Sequence, residues 1–115
     1  MEKNCLFCKI VAGEIPSPKV YEDELVVAFR DIDPQAPEHI LLVPRRHIPT
    51  TLDLEAADQE LVGRIFLVAN QLARQFDFAE EGFRIVNNCK AAGGQVVWHL
   101  HFHLLAGRQM GWPPG

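Results

Sequence analysis

The chain has 115 residues, 48% of them hydrophobic and 23% charged, with a formal net charge of −4. That length and apolar content suit one ordinary domain, read as residues 1–115, and the charged fraction is that of a globular protein rather than a disordered one. The acidic balance excludes the basic face of a duplex nucleic-acid binder, no apolar run is long enough to cross a bilayer, and residues 1–20 lack a signal-peptide core. The expectation is a soluble cytoplasmic protein with no nucleic-acid or membrane partner. A small phosphate ligand, which needs only local donors, stays open. Three cysteines, an odd count, argue against a disulfide framework, so Cys5 and Cys8 are read as reduced thiols or metal ligands.

In chain order, residues 5–12 form a short helix ended by Gly13, and Pro16 and Pro18 enforce an extended passage. Lys19–Glu22 and Leu25–Phe29 read as two strands with a tight turn at Asp23-Glu24. Residues 31–37 hold two prolines and two aspartates and form a loop. His39–Val43 is a near-continuous apolar strand, which belongs in the middle of a sheet, and Pro44 closes it. Residues 53–76 are one long helix. Leu61, Ile65, Val68, Leu72 and Phe76 give it a single apolar stripe, with acids early and Arg74 late to suit its dipole. Residues 83–88 form a strand, Gly93-Gly94 a turn, and Val96–Leu105 the last strand. Strands and helices do not alternate regularly, so the fold class is α+β, with about five mostly antiparallel strands packed under the long helix and a short N-terminal helix.

The last strand carries three of the five histidines at alternating positions, His99, His101 and His103. Strand alternation puts the three imidazoles on one face, about 6–7 Å apart, and buries Leu100, Phe102 and Leu104 on the other. A plain wet face of an edge strand would serve as well with Thr, Lys or Glu, which leaves metal ligation or nucleophilic catalysis. His39 opens the central strand and joins the set only if that strand neighbours the last one. The loop from Asn88 to Gln95 runs into the histidines; its glycine pair, including Gly94, lets backbone N–H groups approach an anion, and Asn88 and Gln95 add side-chain donors. Cys5-x-x-Cys8 has the spacing of half a zinc site. The bland alternative is two partly buried thiols, and a redox pair is disfavoured because no strand precedes the motif.

His99-Leu-His101-Phe-His103-Leu-Leu resembles the histidine-triad signature. Phe29–Ile32, Pro34–Pro37, His39, Val43-Pro44, His47-Ile48, Gly93–Gln95 and the tail Trp112–Gly115 resemble the Hint branch of that family. The resemblance implies a histidine-triad fold and hydrolysis of purine nucleoside 5′-phosphoramidates to the monophosphate through a covalent nucleotidyl-histidine. It implies His101 as nucleophile, with His103 and His39 handling protons or phosphate oxygens. Asn88, Gly94, Gln95 and His103 would contact phosphate, Asp31 the ribose, and Phe7, Ile10, Phe29 and Ile32 the base. Some bacterial relatives hold structural zinc, which here would fall to Cys5, Cys8, His47 and His99. A homodimer is implied too. Many Hint proteins have a serine where this chain has Val96, which removes a hydroxyl from the leaving-group side. The alternatives are a dinucleoside polyphosphate hydrolase, or a nucleotide- or zinc-binding regulatory module.

Overall fold

The computed structural model describes residues 4–115; the first three positions of the single domain expected over 1–115, and of the expectation that no leader precedes it, lie outside the described residues. Helix α1 (Leu6–Val11) is followed by strands β1 (Lys19–Glu22), β2 (Val26–Arg30) and β3 (Glu38–Pro44). Then come helix α2 (Gln59–Gln75), strand β4 (Arg84–Val86), a helical turn α3 (Lys90–Gly93) and strand β5 (Phe102–Ala106). The five strands form one sheet in the order β1-β2-β3-β5-β4, every neighbouring pair antiparallel. The α+β expectation holds, with β3 in the middle. Among the described residues no helix is long and apolar enough to cross a membrane.

Both faces of the sheet are covered, which is why β3 reads as a continuous apolar run. On one face Val26, Ala28, Ile40, Leu42, Leu100, Phe102 and Leu104 pack with Leu61, Ile65, Val68 and Leu72 of α2. On the other, Val27, Phe29, Leu41 and Val43 pack with Phe7, Cys8, Ile10 and Val11 of α1. The period-2 alternation of the strands and the stripe of α2 sort these side chains to their faces.

Beyond one-residue shifts at other ends, four readings differ from the sequence. The long helix begins at residue 59, not 53. Thr50 and Asp53, then Glu55 and Asp58, each close a capping box on a separate 3₁₀ turn, so the early acids cap two short turns before α2 starts. The strand expected over 83–88 is only Arg84–Val86. Gly93-Gly94 is the end of α3, with Gly94 at φ 83° as its left-handed cap. The last strand starts at Phe102 rather than Val96. The chain ahead of it bends, because Leu100 donates its N–H to the Ile48 carbonyl at 2.6 Å instead of to a strand neighbour.

The β1–β2 turn is tied to α2 through Asp23. Its carboxylate accepts the N–H groups of Leu25 and Val26, the Tyr21 hydroxyl and the Arg64 guanidinium. Burial alone would raise its pKa, but these donors outweigh it and hold it at about 2. Because the folded pKa lies below the unfolded value near 3.8, the stabilisation is complete above that value and is lost as pH falls toward about 2. Urea unfolding of Asp23→Ala should show a loss of about 1–3 kcal/mol at neutral pH, shrinking as the pH is lowered through that window. A loss that does not shrink would contradict the role given to the carboxylate.

Candidate active site

The antiparallel register brings His39 to the histidine row. On the α1 face, Leu41 lies opposite His103 and His39 opposite Leu105, so His39 and His103 are diagonal cross-strand neighbours. Their rings meet with His39 Nε2 2.9 Å from His103 Nδ1. His103 is the one triad member inside β5; His99 and His101 precede it on the bent segment. The alternation survives without the strand, because Leu100, Phe102 and Leu104 anchor in the α2-side core. The row is not a wet edge: β5 lies between β3 and β4, His99 is 0% and His101 4% exposed.

The hydrogen bonds fix the tautomers. His39 Nδ1 accepts the N–H of Gln35 at 3.0 Å, so a neutral His39 carries its proton on Nε2 and donates it to His103 Nδ1. His103 is then protonated on Nε2. His101 donates Nδ1–H to the carbonyl of His99 at 2.8 Å, which leaves its Nε2 with a bare lone pair. Burial depresses the pKa of His39 and His101, against the opposing pull of the Asp31 carboxylate on both. His103 is lowered to about 4 by burial and by the neighbouring His101 and His39. All three are neutral at pH 7. The Phe7 ring stands edge-on to His101, with centroids 5.1 Å apart.

Phe7 also joins a cleft of about 280 Å³ lined by Ile10, Ile15, Phe29, Asp31, Ile32 and Leu41 among others. This is close to the roughly 300 Å³ at which small-ligand pockets begin. All five residues expected to take base and ribose are therefore together. Ile32 stands 94% exposed at the rim, while Phe7 and Phe29 form the buried wall. Asp31 links cleft and histidines, its Oδ2 3.5 Å from His39 Nε2.

Asn88 and Gly94 flank α3 on the approach to the histidine segment. The Gln95 side chain is spent inside that loop: Oε1 accepts from Lys90 N–H, and Nε2 donates to the carbonyls of Pro49 and Val97. In this arrangement it is a staple for the loop. Val96 projects into solvent and carries no hydroxyl.

Cys5, Cys8, His47 and His99 form a second cluster, their ligand atoms all within 4.8 Å of one another. His99 Nδ1 lies 3.3 Å from Cys5 Sγ, 3.5 Å from Cys8 Sγ and 3.3 Å from His47 Nδ1, and Cys8 Sγ lies 3.3 Å from His47 Nδ1. A tetrahedron with Zn–S near 2.3 Å and Zn–N near 2.0–2.1 Å has edges of about 3.3–3.8 Å, so the four donors fit that ion. His99 Nε2 donates to the Pro44 carbonyl at 2.8 Å, which turns the Nδ1 lone pair toward the sulfurs as a ligating histidine requires. Cys5 caps α1 and accepts the Cys8 N–H.

Sequence reasoning missed the residues that act through the backbone. Asn87 donates its side-chain amide to the His101 carbonyl at 3.0 Å and accepts from the Thr51 hydroxyl. The Gln35 N–H and the Pro44 and His99 carbonyls orient imidazoles. Side-chain identity carries no signal for the last three; Asn87, next to Asn88 at a strand end, had only its polarity to offer.

A family model described as the HIT domain matches residues 12–110. A purine nucleoside phosphoramidase of Escherichia coli (strain K12) is 49% identical over 111 residues, 96% of this chain and 93% of that protein. A 14 kDa zinc-binding protein of Zea mays is 49% identical over 112 residues, 96% of this chain and 87% of that protein. The crystal structure of a HIT family hydrolase from Legionella pneumophila Philadelphia 1 superposes with a TM-score of 0.95 at 53% identity, covering 97% of this chain and 100% of that one.

The tautomers are directly observable. Nitrogen-15 histidine spectra at pH 7 should show His101 protonated on Nδ1, and His39, His99 and His103 on Nε2. A His101 signal protonated on Nε2 would contradict the geometry.

Proposed function

The chain belongs to the HIT domain family, and from that premise we propose that it hydrolyses purine nucleoside 5′-phosphoramidates through a nucleotidyl group carried on His101. The observation that carries the reading is the His101 Nδ1–H bond to the His99 carbonyl, which leaves Nε2 without a proton and its lone pair available. A neutral imidazole is a good nucleophile, and a phosphorylated one a good leaving group.

The base lies in the cleft between Phe7, Ile10 and Phe29, and Asp31 accepts from the ribose hydroxyls. His101 Nε2 attacks the α-phosphorus, forming a P–N bond to imidazole as the bond to the substrate amine breaks. The departing nitrogen takes the Nε2 proton of His103, which has gained a proton from solvent as the anionic substrate binds, so the ring left behind is neutral and again accepts the His39 Nε2–H at Nδ1. Water then attacks the nucleotidyl-His101, returns a proton to His103 and releases the monophosphate. Val96 offers no hydroxyl to the leaving group, so proton delivery rests on the histidines. Negative charge on the phosphoryl oxygens is met by His103 and the 88–95 loop, Asn88 and Gly94 foremost.

Cys5, Cys8, His47 and His99 hold a structural zinc ion, which supplies no step of this chemistry and ties α1 to the triad segment. The protein is a homodimer. Supporting this are the edge strand β4, which among the described residues pairs on one side only, and the exposed Phe66 and Leu67 on α2. The whole of residues 1–115 acts as one HIT domain, in a cytoplasm that keeps its thiols reduced; none of the three cysteines is in a disulfide.

Replacing His101 by alanine should lower kcat on an adenosine phosphoramidate by at least on the order of 10³-fold, while the affinity for adenosine monophosphate changes by less than about threefold. Substantial turnover by the alanine variant would overturn the reading.

A further inference from the structure

The thiol–imidazole cluster and the triad share one residue, His99. Its ring is wholly buried and is held at both nitrogens, Nε2 by the Pro44 carbonyl and Nδ1 among Cys5, Cys8 and His47. Its main-chain carbonyl accepts the Nδ1–H of His101. No strand ladder holds this stretch, since β5 begins only at Phe102.

Its other tethers are the burial of Leu100 in the core under α2 and two hydrogen bonds. Leu100 N–H bonds the Ile48 carbonyl, one residue beyond His47. Asn87 bonds the His101 carbonyl. Segments 47–48 and 99–100 are therefore joined by a backbone bond on one side and by the four-donor cluster on the other. A peptide carbonyl turns with the chain that bears it, so whatever fixes the His99 ring also limits where that carbonyl points.

We propose that the Cys5–Cys8–His47–His99 cluster, closed around a tetrahedral divalent metal, positions the nucleophile, and that His99 is the positioning residue through which it acts. The proposal rests on His101 being the nucleophile. With the cluster closed, the His99 carbonyl stays on His101 Nδ1–H and Nε2 keeps its lone pair. With it open, the carbonyl is released, the His101 proton redistributes between its nitrogens, and the attacking lone pair is lost from part of the molecules. A role confined to holding α1 in place would lower the melting temperature and leave His101 as it was.

The test compares zinc-loaded wild type with chelator-treated wild type and with His47→Ala, each at a temperature where circular dichroism shows it folded and with metal content measured. Nitrogen-15 histidine spectra should show His101 passing from the Nδ1-protonated form to a tautomer mixture when the metal is absent. In the same samples kcat should fall about 10- to 100-fold, the loss attached to roughly 1 Å of misplacement. Added zinc should restore both readouts in the chelated wild type. If His47→Ala does not fold, the chelated wild type carries the comparison. An unchanged His101 tautomer and unchanged kcat in folded, metal-free protein would overturn the proposal. The tautomer readout is independent of any substrate, so it fails on its own, whereas activity surviving in His101→Ala would strike the catalytic reading instead.

Discussion

The hydrogen bond from His101 Nδ1–H to the carbonyl of His99 is the constraint on which the site depends. An imidazole has two nitrogens and, when neutral, one proton; the partner given to one nitrogen decides what the other can do. Here the partner is the main-chain carbonyl two residues before His101. The rest of the molecule serves to keep that carbonyl still and to keep the histidines uncharged.

Both tasks follow from burial. The α1 face of the sheet is apolar, so rings placed on it lose hydration and favour their neutral forms. Neutral rings form a directed chain, from the Gln35 N–H through His39 to His103, rather than repelling one another as cations. Asp31 stands beside His39 in this chain and at the wall of the cleft, so one carboxylate faces both the cleft and the paired histidines. On the opposite face, the core under α2 anchors Leu100, Phe102 and Leu104, which fixes the positions between the histidines.

Much of this was legible in the chain. The apolar run His39–Val43 announced the central strand, and the 2-residue spacing of the histidines placed them on one face. The spacing was right for a different reason than a strand supplies. The ladder begins at Phe102, and alternation upstream is imposed by core anchoring of Leu100 and its bond to Ile48. The early acids of residues 53–60 looked like helix-dipole partners because capping boxes and first helical turns favour the same residue types. What could not be read were backbone partners: the carbonyls of Pro44 and His99 and the N–H of Gln35 carry no sequence signature. Gln95 showed a polar side chain beside a glycine pair, and only the folded loop reveals its amide spent on Lys90, Pro49 and Val97.

The three histidines thus differ in their surroundings, His99 turned to the sulfurs, His101 held by a main-chain carbonyl and His103 by His39, and the proposed mechanism gives His101 the phosphorus and His103 the proton. The central claim is that a covalent bond forms at His101 Nε2. It is tested most directly by mixing the protein with an adenosine phosphoramidate, quenching within one turnover at alkaline pH, where phosphohistidine survives, and mapping the adduct by peptide mass analysis. The expected result is an adenosine monophosphate group on His101 that disappears as product forms. An adduct on another residue, or turnover with none, would contradict it.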